Sequence, residues 1–373
     1  SQKGEIVLTS LVVWPFTAKE LFARNSKWTI SPFCEHKAVK QLHSISPSPP
    51  LKMKNHCPYV PLQNGFQLPM VGLGTAQVLD ENAEAAVSCA LDAGYRLIDT
   101  APFYENEAAI GRALHQKCLT SDLRREDVFI TTKLRNSEHG VEHVRPACER
   151  SLRKLGLSYL DLYLIHWPVA FVYEGEEIQK DLTQPRPVDP TPLEDTWKEM
   201  EKLVDARLVR SIGLSNFNCS QINRILKICR IRPQVLQVEV SLLFRNRDLV
   251  AFAKSVGMQV TGYATFGSPG MKHVIGHTFC SLEDPCPKEI AEKNGKTPAQ
   301  ILLRHMLQLG VCTIPKSANP ARIVENFQIF DFELSPAEME TLDKADRNER
   351  VFKLLLWKNH PEYPFTEGSS QRT

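Results

Sequence analysis

The chain has 373 residues, 42% hydrophobic and 24% charged, a balance that gives a globular protein ample core and argues against a disordered or fibrous one. A formal net charge of +2, without a long Lys/Arg run, supplies no field for nucleic acid or anionic lipid, so neither partner is expected. The ten cysteines show no paired metal-type spacing, which reads as reduced thiols in the cytoplasm and no metal site.

In chain order, the apolar run "IVLTSLVVWPF" (6–16) is too short to span a bilayer and lacks the flanks of a secretion signal. Residues 1–55 close on the Ser/Pro stretch "SISPSPPLKMKNH" and are read as an N-terminal extension, disordered or non-native; residues 56–373 are read as one domain. That domain opens with a hairpin, "YVPL" and "FQLP" about an Asn64-Gly65 turn.

Eight short apolar runs follow: "MVGLG", "YRLID", "VFITTK", "LDLYLIH", "VRSIGLS", "VLQVEV", "MQVTGY" and "VCTIPKS". Between them lie amphipathic segments such as "ENAEAAVSCALDAG", "VRPACERSLRKLG" and "LEDTWKEMEKLVDARL", with apolar residues at three- and four-residue steps. Eight strand–helix repeats predict a (β/α)₈ TIM barrel with a C-terminal extension loop.

A barrel does its chemistry where its strands end. The polar residues there are Asp99, Lys133, His166, Ser215, Asn216, Gln237, Glu239, Tyr263, Lys316 and Ser317, with Tyr104 in the turn after Asp99. Singly, each reads as a cap, a solvated charge or a hydrogen-bonded core residue. Together, Asp99, Tyr104, Lys133 and His166 at one end of one barrel are costly unless paired. Asp99 would keep Lys133 charged, and Lys133 would lower the pKa of the Tyr104 phenol toward working pH. His166 would orient a carbonyl oxygen or share its proton, a group suited to protonating oxygen as hydride reaches carbon. A Schiff-base role for Lys133 would need an uncharged amine, which Asp99 opposes.

The stretches "LDAGYRLIDTAPFYENE", "KLGLSYLDLYLIHWP", "IGLSNF" and "IPKSANPARIVENF" resemble the signatures of the aldo-keto reductases, and the likeness runs from about Tyr59 to Arg350. It implies NADPH-dependent reduction of aldehydes or ketones, with Asp99, Tyr104, Lys133 and His166 as catalytic tetrad and Tyr104 as the acid. It implies cofactor contacts at Thr75, Ser215, Asn216 and Gln237, a nicotinamide platform at Tyr263, and adenosine-end contacts at Lys316, Ser317, Arg322, Glu325 and Asn326. Lys316 and Arg322 suit a 2′-phosphate. The substrate pocket is expected at Phe103, Trp167, Arg135 and His273, with the tail after Arg350 as part of its wall. The protein is expected to act as a monomer on a small carbonyl compound. The alternative is a nicotinamide-binding regulatory barrel of the channel-subunit kind, with little turnover.

Overall fold

The structure is a computed structural model describing residues 57–178, 186–271 and 280–365. The expectation for residues 1–55 lies outside the described residues.

Strands β1 (Tyr59–Pro61) and β2 (Gln67–Pro69) form the antiparallel hairpin, Tyr59 opposite Pro69. Its turn docks on the barrel: the Asn64 amide donates to Arg210 O at 3.1 Å and Ser211 Oγ at 2.9 Å, while Asn64 N–H donates to Gln234 Oε1 at 3.0 Å. Those residues begin strands, so the hairpin covers the end opposite the expected site.

Eight parallel strands follow: β3 (Leu73–Gly74), β4 (Leu97–Asp99), β5 (Phe129–Leu134), β6 (Leu160–Ile165), β7 (Val209–Ser215), β8 (Val235–Glu239), β9 (Gln259–Tyr263) and β10 (Cys312–Thr313). Each pairs with its sequence neighbour. The first and last also meet, through Gly72 N–H to Thr313 O (2.9 Å), Thr313 N–H to Met70 O (2.8 Å) and Gly74 N–H to Pro315 O (3.1 Å). The sheet is thereby a closed (β/α)₈ barrel. Only glycine fits this seam closely: a Cβ on Gly74 would lie 2.5 Å from Ile314 O.

The helices α1 (Asp80–Ala93), α2 (Glu107–Thr120), α3 (Val144–Leu155), α4 (Leu193–Asp205), α5 (Cys219–Ile228) and α6 (Arg247–Ser255) connect successive strands. Helices α7 (Pro285–Asn294) and α8 (Pro298–Gln308) precede β10, and α9 (Pro320–Phe327) and α10 (Pro336–Lys344) follow it. Their apolar stripes face the barrel, as Val144, Ala147, Cys148, Leu152 and Leu155 do on α3, which stops at Gly156 with φ 64°. Among the described residues no helix is long and apolar enough to cross a membrane, no cluster of three metal-type side chains occurs, and nine cysteines are free.

Candidate active site

Strand register brings the expected tetrad together. Asp99 pairs with Thr131, and two residues beyond Thr131 on the same face of β5 stands Lys133. Lys133 pairs with Leu164, and two residues beyond that comes His166. Each neighbouring strand is offset by two residues, as barrel shear requires, so the three side chains climb in steps toward one mouth. Tyr104 arrives from a single 3₁₀ turn, Pro102–Tyr104, straight after β4.

Lys133 is fully buried. Its Nζ donates to Asp99 Oδ1 at 2.6 Å, Thr100 O at 2.9 Å and Tyr104 Oη at 3.4 Å. Those three acceptors use all the hydrogens an ammonium has. Burial disfavours the charge, but Asp99 and Tyr104 outweigh it and hold Lys133 above the usual lysine range. His166 stands edge-on to Tyr104 with ring centroids 6.0 Å apart, and burial, helped by Lys133, pushes it well below the usual histidine range, so it stays neutral.

The expectation for Tyr104 needs correction. Burial raises its pKa above the ordinary tyrosine value, and Lys133 opposes that rise without reversing it. Asp99, close behind the lysine, adds to the rise. The phenol is therefore held in its protonated form through neutral pH.

Thr75 donates its hydroxyl to Asp99 O at 2.9 Å, and Gln237 reaches across the barrel to Asp99 Oδ2 at 2.7 Å. Both expected cofactor contacts are thus engaged in fixing Asp99. Asn216, at φ 65°, donates to His166 O (2.9 Å) and Ser215 Oγ (3.1 Å) and accepts from Tyr263 Oη at 2.7 Å. At the start of α9, Ser317 Oγ accepts from Asn319 N–H and Asn319 caps Arg322 N–H, both at 3.1 Å. The side chains of Lys316 and Arg322 are exposed and have no partner among the described residues. Glu325 accepts from Thr297 Oγ1 at 2.8 Å, and Asn326 is buried.

The family model for the aldo/keto reductase family matches residues 70–347. The chain belongs to the aldo/keto reductase family. It is 42% identical over 326 residues to aldo-keto reductase family 1 member A1 of Gallus gallus, covering 84% of this chain and 99% of that one. It is 43% identical over 318 residues to member A1-A of Danio rerio, covering 83% and 98%. The solved structure of the aldose reductase from Schistosoma japonicum is 48% identical with a TM-score of 0.78, covering 83% of this chain and 99% of that one. This oxidoreductase family reduces carbonyl groups, and this member carries the four side chains above at the mouth of its barrel.

Around that mouth the reductase has an aromatic wall. Trp167, next to His166, meets Trp357 at 5.6 Å and Phe365 at 5.9 Å, both edge-on, and Phe171 meets Trp357 at 5.5 Å. Phe103 is half-buried beside Tyr104. Arg135 differs from its expected part as a substrate-facing wall: its Nη atoms donate to Glu138 Oε1 (2.6 Å), Gly175 O (3.1 Å), Glu176 O (3.2 Å) and Glu177 O (3.3 Å). It staples the loop after β6 in place. His273 lies outside the described residues.

Sequence reasoning missed Asn106. Fully buried, it donates to Thr75 O and Val78 O, both at 2.9 Å, and accepts from Thr100 Oγ1 at 2.8 Å. It thereby fixes the turn that carries Tyr104. An asparagine directly before the helical pattern "EAAIGRALHQ" was the available signal, and it reads as an ordinary cap.

Proposed function

We propose that the enzyme reduces small aldehydes and ketones to alcohols with NADPH, in the cytoplasm and as a monomer, and that Tyr104 supplies the proton. The observation that carries the reading is the buried Lys133 ammonium, set between Asp99 at 2.6 Å and the Tyr104 phenol at 3.4 Å. A half-buried phenol kept protonated at neutral pH is a competent donor to a substrate oxygen. As the proton leaves, the phenolate forms beside a cation already in place, and no water has to reorient around it. Neutral His166 can donate a second hydrogen bond to the same oxygen and orient the carbonyl.

The residues fit NADPH. Tyr263 carries an aromatic ring beside Asn216 and Ser215, and Lys316 and Arg322, without partners among the described residues, offer positive charge for a 2′-phosphate. When bound, the nicotinamide supplies the hydride. The chain's part is to hold the carbonyl carbon toward it and to deliver the proton to oxygen, which balances the reduction.

The test is NADPH oxidation followed at 340 nm against aldoses, aliphatic aldehydes, quinones and ketosteroids. Turnover with at least one class is expected. Tyr104→Phe should lower kcat by roughly two to four orders of magnitude while NADPH affinity stays unchanged. A folded wild type that oxidises NADPH with none of them would sink the proposal. So would a Tyr104→Phe variant retaining about a tenth of the rate with chemistry limiting.

A further inference from the structure

Glu239 ends β8 and is fully buried, yet the chemistry above gives it no task. Its two oxygens accept backbone N–H groups of the segment after α10, Oε1 from Val351 at 2.7 Å and Oε2 from Phe352 at 2.9 Å. Just before them, Arg350 sits between two aromatic faces, its guanidinium 4.3 Å from the Phe244 ring centre and 3.7 Å from that of Phe365. Glu239 and Arg350 lie close enough to feel each other's charge. Two N–H donors and a nearby cation are what a buried carboxylate requires. A glutamine would not serve, because its single oxygen can face only one of the two N–H groups and its amide would oppose the other.

The clamp leads to the cofactor platform. The Phe352 ring packs against that of Tyr263, centroids 5.5 Å apart and planes at 73°. Tyr263 Oη in turn donates to Asn216 at 2.7 Å, and Asn216 donates to His166 O at 2.9 Å. Tyr263 is thus held at its hydroxyl by Asn216 and at its ring by Phe352, and Phe352 is held by Glu239. Further along, the same segment is anchored separately: His360 Nε2 bonds Ala170 O at 2.9 Å, Glu362 pairs with Arg224 at 2.6 Å, and Asn218 donates to Pro364 O at 3.2 Å. Between the two anchor points, Lys353, Leu355, Leu356 and Lys358 are exposed.

Resting on the NADPH reading, we propose that Glu239 is a positioning residue. It fixes Val351–Phe352 so that Phe352 sets the Tyr263 ring for the nicotinamide, and order in the C-terminal segment is coupled to affinity for that half of the cofactor. Coupling of this kind is reciprocal, so cofactor binding also orders the segment.

Two ligands separate this from a merely structural role: NADPH, and adenosine 2′,5′-bisphosphate, which keeps the 2′-phosphate and lacks the nicotinamide. Glu239→Gln and Phe352→Ala should each raise the Kd for NADPH roughly tenfold and leave the Kd for the bisphosphate unchanged. In wild type, NADPH should slow tryptic cleavage after Lys353 and Lys358, whereas the bisphosphate should not. Folded variants that bind NADPH like wild type, or that lose both ligands equally, would overturn the proposal. If Glu239→Gln does not fold, Phe352→Ala decides, since that side chain is only half-buried. A wild type that binds the bisphosphate and NADPH equally weakly would instead overturn the cofactor reading beneath it.

Discussion

Replacing Lys133 by Met keeps the length of the side chain and removes its charge. Asp99 is 3% exposed and would keep only the Gln237 amide, at 2.7 Å on Oδ2, after losing an ammonium at 2.6 Å on Oδ1. Stranding a buried carboxylate costs about 3–5 kcal/mol. Asp99→Asn strands the lysine in the same way. In the double variant no buried charge remains, so most of that loss should return, giving a coupling of at least about 2 kcal/mol in a double-mutant cycle. The rate should not return, because the Tyr104 phenolate would form without a cation beside it. Urea melts and NADPH-dependent rates on the four proteins make the comparison. The Lys133 pKa is raised in the folded state, so the pair's contribution is fully present below the unfolded lysine value and is lost only as alkaline pH passes the folded one. The cycle should therefore give the same coupling throughout the neutral range. Strictly additive destabilisation would refute the ion-pair argument, and recovery of turnover in the double variant would refute the need for the lysine charge.

Wild type should bind NADPH at least about tenfold more tightly than NADH, and Arg322→Met should remove most of that difference by weakening NADPH alone, read by fluorescence titration. Equal weakening of both would make Arg322 structural. Burial pushes His139 from 6.5 down to about 4, and neither ring nitrogen has a partner among the described residues. Between those values the unfolded chain binds a proton that the folded one does not, so stability should fall by about 3 kcal/mol as pH drops through that window, and His139→Leu should flatten the slope in urea melts at several pH values. An unchanged slope would show that His139 takes up its proton without unfolding. Because burial raises Tyr104 and keeps His166 neutral, the reduction rate should show no histidine limb near neutrality and no alkaline fall below the ordinary tyrosine range. A pH profile of kcat/KM that bends near 6.5 would contradict this.

Asp99, Lys133 and His166 were legible because each is a polar residue closing an apolar run, and barrels place such residues at one mouth. The two-residue offset that stacks them is a property of sheet closure and is written in no single segment. The direction of the Tyr104 pKa was misread for a related reason: sequence names the neighbours of a phenol, but depth of burial outweighed the nearest charge. Arg135 stood beside Lys133 in sequence, whereas the carbonyls that engage it belong to residues 175–177. Glu239 was visible as an acid in an apolar strand, while its partners lie 112 and 113 positions away.

The barrel closes where Met70–Gly74 meets Thr313–Lys316, and Gly74 also bridges to Lys316. Contacts between segments so distant in sequence carry a large loop entropy and form slowly, so this seam belongs among the late steps of folding. Lys316, Ser317 and the start of α9 continue directly from it. A chain still open at the seam has Lys316 and Arg322 in no fixed relation to Tyr263. Under the proposed function, nucleotide would then select only the finished barrel, and its binding energy would add to the stability of the closed form alone.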